Sequence, residues 1–248
     1  MTADIQTEPD CPAEVVLTSA DASRALLVRF PFAHDVVSWA IVNGGRRRAQ
    51  AVVWREVRPQ DLPVGGDPRL LLTRALQATG LEDAVGLLTA RDLRTFQSAF
   101  VVADDCAVRC IATVGMGNGV AVGEPVTASS MSLKRTVGTI NLLCQLSVAV
   151  SEEALIEALA IATEAKTSAV LDAALPSPAS GRPITGTGTD CVVIAAPPRR
   201  NDRQRIYAGK HTTLGYAIGA AVREAVRKGI GEQAGQSQED GGTWISHP

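Results

Sequence analysis

The 248-residue chain is short of the features that would assign it to a specialised class. Aromatic residues are 4% of it, histidines number three, and no apolar run reaches the roughly 18 residues that a membrane-crossing helix needs. So few histidines exclude a His-rich metal site, and no metal is expected. Neither sign of charge is in excess: 24 Lys and Arg face 26 Asp and Glu, a net charge of -2. That balance lacks the basic footprint of a nucleic-acid binder, and the one dense basic run, Arg46, Arg47 and Arg48, reads as a solvated turn. The five cysteines (11, 106, 110, 144 and 191) are odd in number and without CxxC or Cys/His ligand spacing, which argues against a disulfide framework or a structural zinc site. Cys106 and Cys110 fall in one expected strand, where four residues span about 13 Å, beyond the ~7 Å reach of a disulfide. The opening "MTADIQTEPDCP" carries acids and no base, so no secretory signal is read there and a cytoplasmic protein is expected. GxSxG, HExxH and Cys/His protease signatures are all missing.

What is present is enough apolar sequence for a full core, 46% of the chain. Short β-branched runs ("EVVLT", "ALLVRF", "AFVVADD", "VRCIATV", "INLLCQLSV", "CVVIAA") alternate with helical patterns near 68–79, 151–174 and 212–228. The expectation is a single α/β or α+β domain over residues 13–230, with a mixed, largely buried β-sheet packed by helices. Residues 1–12 and 231–248 are expected to be flexible, and His247 lies in the second of these segments.

Ser151 can cap the second helix, with Glu152 and Glu153 suited to its first turn. At 100° per residue Glu157, Glu164 and Ser168 share a narrow polar stripe. Lys166 lands instead among Leu155, Leu159, Ala162, Ala169 and Val170, where a charge needs a partner unless it snorkels to an edge. In the last helix Leu214, Ile218, Ala221, Val222 and Ala225 point inward, and Gly215 with Gly219 offers a smooth patch for close backbone approach.

The stretch "TGTGTD" (185–190) runs into a strand rather than a helix, which removes the phosphate-loop and dinucleotide readings. Its amides and hydroxyls, with Asp190, are the parts of an oxyanion-stabilising or amide-binding corner, or of a plain turn in which Asp190 bonds its own backbone. His211 stands at the start of the last helix, positioned either as a neutral proton acceptor or as a cap. His34, beside Asp35, reads as a surface turn, and Cys191 as a buried thiol.

Seven stretches in order resemble the adenosylcobinamide amidohydrolase (CbiZ) family: "VVSWAIVNGG" (36–45), "VGLLTARDL" (85–93), "ATVGMGNGVAVGEP" (112–125), "GTINLL" (138–143), "ATEAKTSAVLD" (162–172), "TGTGTDCVVIA" (185–195) and "YAGKHTTLGYAIGAAV" (207–222). The resemblance implies hydrolysis of the aminopropanol amide of adenosylcobinamide to give adenosylcobyric acid, as corrinoid salvage for coenzyme B12 synthesis. The corrinoid is then substrate, with no cofactor expected, no nucleic-acid or membrane partner, and homo-oligomerisation left open. Within the matched motifs Asp190 or His211 would serve as base, Lys166 as electrostatic partner to Glu164 or Asp190, and the amides around Gly186, Thr187 and Gly188 as oxyanion donors. Ser38, Asn43, Thr89, Asn118 and Asn141 would suit the amide-fringed rim of a corrin, Gly44 and Gly45 would let it approach the backbone, and Thr185, Thr189, Tyr207 and Thr212 complete the expected binding set. Trp39 stands where the family's first motif usually carries a small residue, which turns attention to the substrate. The alternatives are an amidase of the same fold acting on another planar heterocycle, and a non-catalytic corrinoid-binding protein.

Overall fold

Every residue of Cys106–Val114 and of Ile140–Leu146 is buried, as largely apolar strands covered on both faces must be. These two lie within the larger sheet of a computed structural model that describes residues 8–20, 23–63, 65–125, 138–199 and 204–239. In chain order the strands are β1 (Glu14–Ala20), β2 (Ser23–Ser38), β3 (Gly45–Glu56), β4 (Val85–Thr89), β5 (Gln97–Ala103), β6 (Cys106–Val114), β7 (Gly119–Val120), β8 (Ile140–Leu146), β9 (Gly186–Thr187) and β10 (Cys191–Ala196). The helices are α1 (Pro68–Ala78), α2 (Glu152–Asp172) and α3 (Thr213–Glu239). Eight strands form one mixed sheet in the order β4-β3-β2-β10-β8-β6-β5, with β1 added to β2; β7 and β9 form a separate pair. The β3–β4 and β10–β8 ladders are parallel and the others antiparallel. The expected mixed, largely buried sheet is therefore what forms.

Period-two alternation divides the core. Val108, Cys110 and Ala112 with Leu142, Cys144, Val192 and Ile194 face α2 and α3. Ile111, Leu143 and Val193 turn to the other face and pack with Val28, Phe30, Trp54, Leu87 and Leu93 from the first half of the chain. Residues from β4 and β6, far apart in strand order, share this cluster because the sheet curls; the Asn141 side chain on β8 reaches across it to donate to the Leu88 carbonyl (2.8 Å). The third cluster sets Leu72 and Leu76 of α1 on Ala51 and Val53.

Several local expectations change. Residues 8–12 dock on the sheet: Cys11 is fully buried and Gln145 donates to the Pro12 carbonyl (3.0 Å). Helix α3 does not stop near Gly231 but runs to Glu239, where Gln233 accepts from the Met116 N–H (2.9 Å) and ties the helix across the end of β6. Residues 1–7 and 240–248, His247 among them, lie outside the described residues. His34 is no surface turn: it is buried in β2 and stacks on Phe30 (4.3 Å between centroids) and Phe32, because alternate residues of the strand share its face. Arg46, Arg47 and Arg48 begin β3 rather than forming a turn, with Arg46 beside Glu152 (3.3 Å) and Arg48 beside Asp35 (3.9 Å). Gly215 does accept a close approach, from the backbone of Gly209 and Ala208, whereas Gly219 has open space around it.

Candidate active site

Ser151 caps α2 through a hydrogen bond from the Ala154 N–H (3.2 Å), and Ala154, Leu155, Ala158, Ala162, Ala169 and Val170 bury one face of the helix. Lys166 lies on that face, its side chain only 8% exposed. Its ammonium pairs with the Asp190 carboxylate, which is equally buried. Glu164, the other partner considered, is held elsewhere: it accepts from Lys210 at the surface (2.7 Å).

Asp190 ends the TGTGTD loop at the start of β10. Its carboxylate accepts from the Ile140 N–H (3.1 Å), the Thr187 N–H (3.1 Å to Oδ2), the Thr187 hydroxyl and Lys166 Nζ. A carboxylate offers about four lone-pair sites, so these four donors fill it. Gly186 makes the arrangement possible, since a Cβ there would fall on the Asp190 oxygen and 2.6 Å from Lys166 Nζ. The loop's amides are largely engaged with the protein itself. Thr185 N–H donates to Val120 O (3.0 Å), Gly188 N–H to Asn118 O (3.3 Å) and Thr189 N–H to the Thr187 hydroxyl (3.4 Å). The lysine ammonium carries three protons, and its bond to Asp190 uses one of them.

Six of the seven motifs converge here. The strands β7 and β9 zip "ATVGMGNGVAVGEP" to "TGTGTD", with Gly119 opposite Thr187. "GTINLL" supplies the Ile140 N–H, and the Thr139 hydroxyl donates to Thr189 O (2.8 Å); a Cβ at Gly138 would lie 2.7 Å from Gly117 N. "VGLLTARDL" arrives through the Leu88 contact with Asn141 and through Arg91, whose side chain packs on Gly115. "VVSWAIVNGG" arrives through Trp39, whose indole N–H donates to the Asp190 carbonyl (2.6 Å). Asn141 is in register with Cys191 and Thr113 on the inner face of the curled sheet. Asn141, Ser38 and Thr89 are buried, so they form interior polar positions rather than an exposed rim; the Ser38 hydroxyl accepts from Ala40 N–H (3.3 Å) and that of Thr89 from Arg91 N–H (3.1 Å). Asn118 is exposed beside Gly188. Asn43, in a left-handed conformation (φ 57°), donates to Glu82 O and Ala84 O and shapes the loop before Gly44 and Gly45.

The seventh motif lies apart. His211, exposed, shares an open hollow of about 550 Å³ with Lys210, Thr212, Asp104 and Tyr216, and Thr213 donates to Asp104 (3.2 Å) at the turn leading into Cys106. Asp190 sits beside Ile140, the register partner of Val114 at the other end of β6. The length of that nine-residue strand puts about 25 Å between them. Tyr207 is two-thirds exposed beside this hollow's motif, and the Thr212 hydroxyl donates to Gly209 O and caps the Gly215 N–H. The structure thus joins Lys166 to Asp190 and leaves His211, Glu164, Tyr207 and Thr212 outside that contact.

The sequence pattern described as adenosylcobinamide amidohydrolase, CbiZ, matches residues 10–238. The chain belongs to the adenosylcobinamide amidohydrolase family. Membership makes it a hydrolase of an amide bond. Among this family's members, the adenosylcobinamide amidohydrolase of Methanosarcina mazei is 29% identical over 215 residues, 84% of this chain and 94% of its own. That of Halobacterium salinarum is 35% identical over 125 residues, half of each chain. Looser likenesses join the chain to two solved structures: the PH0078 protein of Pyrococcus horikoshii (11% identity, 85% and 78% of the two chains, TM-score 0.44) and an l-aminopeptidase d-Ala-esterase/amidase of Ochrobactrum anthropi (12%, 92% and 82%, TM-score 0.38).

Within the family motifs, reading residues one by one missed Gly138 and Ile140, whose part is played by backbone, Thr139, whose hydroxyl holds Thr189, and Thr113, whose buried hydroxyl has no partner among the described residues. For Gly138 a signal was there: a glycine just before an apolar strand marks a close backbone approach. Burial pushes the Cys191 thiol up to about 12, with the Trp39 N–H pulling the other way, so no thiolate nucleophile forms there. Among the described residues no cluster of three His, Cys, Asp or Glu is placed to hold a metal ion, and no helix is long and apolar enough to cross a membrane.

Proposed function

We propose that the enzyme hydrolyses the aminopropanol amide of adenosylcobinamide, releasing aminopropanol and adenosylcobyric acid for return to coenzyme B12 synthesis. The corrinoid enters as substrate. The observation that carries this reading is the buried Lys166–Asp190 pair at the point where six family motifs meet. Free, buried cysteines suit the reducing cytoplasm in which such salvage would run.

In this mechanism the substrate carbonyl oxygen faces Lys166, whose ammonium meets the negative charge that develops on it. Asp190 is the base. Of its four donors only the Thr187 hydroxyl can rotate away without moving backbone or losing a charge, and its turning opens an acceptor position on Oδ1, which the Ile140 N–H continues to hold in place. Water then gives its proton to Oδ1 and its oxygen attacks the amide carbon. As the tetrahedral intermediate collapses the carbon–nitrogen bond breaks, and Asp190 returns the proton to the leaving amine. Asn118 and Thr189, both exposed at this corner, are the binding groups proposed for the amide-bearing edge of the ring. The test is incubation of the purified protein with adenosylcobinamide and mass spectrometry of the products. Neither free aminopropanol nor a new carboxylate would reject the proposal.

A further inference from the structure

Trp39 follows the last residue of β2 and remains 48% exposed although it touches Asp190. Both ends of the residue are fixed. The indole N–H donates to the Asp190 carbonyl (2.6 Å), and the backbone N–H faces the Cys191 thiol. The loop behind it has no slack, because a Cβ on Gly44 would meet Ala40 N at 2.9 Å and Asn43 ties the loop to Glu82 and Ala84. An indole held by its polar edge, with much of its surface in water, is a preformed flat apolar surface. Across the TGTGTD loop stands Val122, 75% exposed, its N–H bonded to the Thr185 hydroxyl (2.8 Å). Trp39 is thus exposed beside Asp190 at one end of this loop, and Val122 is exposed beside Thr185 at the other.

We infer that Trp39 is the specificity-determining residue of this site, its indole face stacking on a flat conjugated ring of the substrate while the amide reaches the Lys166–Asp190 corner. This rests on the corrinoid amide reading above and adds to it the group that selects the substrate. The ring is supplied either by the corrin itself or by the adenine of the upper ligand, and either presents the same flat π-face.

The experiment compares the parent protein with Trp39→Phe and Trp39→Ala, measuring equilibrium binding of adenosylcobinamide and of dicyanocobinamide, together with KM and kcat for adenosylcobinamide. Trp39→Ala is expected to weaken binding and raise KM about 10-fold, a change that falls on KM rather than kcat. Trp39→Phe, which keeps a ring but loses the N–H, is expected to raise KM two- to threefold, roughly the loss of a smaller stacking face. A loss with both corrinoids assigns the corrin; a loss confined to adenosylcobinamide assigns the adenine. Equal falls in kcat for Phe and Ala with KM unmoved would overturn the inference, since the N–H bond alone would then matter. Hydrolysis by the parent with unchanged KM and binding in Trp39→Ala also overturns it and leaves the proposed function standing, whereas a parent that binds neither corrinoid removes both.

Discussion

Two lysine–carboxylate pairs touch α2 two residues apart in sequence, and they have opposite characters. Lys166 and Asp190 are each 8% exposed, whereas Lys210 and Glu164 are 66% and 58% exposed. A surface pair gains little, because water and salt screen it and two flexible side chains must be held still. A buried pair is different in kind. Desolvation offsets much of its attraction, but removal of one partner leaves an uncompensated charge in the interior. The first pair is therefore a commitment of the fold and the second an ornament of its surface. Only the first lies where six of the family motifs meet.

The largest effect should come from breaking the buried pair on one side. Lys166→Met is expected to lose about 3–5 kcal/mol of stability, as for other buried pairs deprived of one member. Asp190→Asn is expected to lower kcat/KM for adenosylcobinamide by roughly 100- to 10,000-fold, the usual share of a general base. Denaturant melts and product mass spectrometry check the two, and a Lys166→Met protein as stable as the parent would erase the contrast between the pairs.

Gly186→Ala tests the same corner without touching a charge. Its Cβ would overlap the Asp190 carboxylate and crowd Lys166 Nζ, so the pair must shift. Overpacking of this kind costs about 1–3 kcal/mol, and a displacement of about 1 Å at a reacting group can lower the rate about 100-fold. Gly188→Ala is the control, with only the Asn118 side chain near its Cβ, at 3.4 Å. Stability measurements on the two should separate them clearly.

His34 sharpens the comparison from a third direction, as a buried ionisable group without an ion-pair partner at its own ring among the described residues. Burial holds its pKa below the ordinary 6.5, against the pull of the Phe32 carbonyl and Asp35. As pH falls through 6.5 the unfolded chain takes up the proton first, so the stability contributed by the neutral, stacked ring is intact above that pH and declines below it. The slope is at most about 1.4 kcal/mol per pH unit. Thermal melts from pH 7.5 to 5 should show this decline in the parent and a flatter profile in His34→Phe.

The sequence-level reading went furthest where chemistry is local. Helix periodicity alone placed Lys166 on the buried face of α2, and the run into "CVVIAA" was enough to identify TGTGTD as the entrance to a strand. It could not choose between Glu164 and Asp190 as the partner, because the first is close in sequence while the second arrives only when β10 joins the sheet. Trp39 and Asp190 are 151 residues apart, and nothing in either neighbourhood announces their contact. His211 shows the opposite failure. Its place at a helix N-terminus was readable, but which end of the sheet that helix begins at is decided by the path from β10 to α3. His34 was misread for want of the strand context that makes Phe30, Phe32 and His34 one face.

The exposed pair gives the smallest expected effect and the cleanest check on the comparison. Lys210→Ala and Glu164→Gln should each change stability by less than about 1 kcal/mol, and the difference should vanish in 1 M salt, where the screening length falls to about 3 Å. His211→Ala, beside Lys210, should alter kcat/KM by no more than about threefold if the reaction takes place at Asp190, since a group about 25 Å away can act only through the intervening structure. A fall of 100-fold or more in His211→Ala, with stability unchanged, would mean that the two ends of β6 serve one site. An active centre would then have to be built between two copies of the chain, and mixing inactive Asp190→Asn with inactive His211→Ala protein would restore part of the activity.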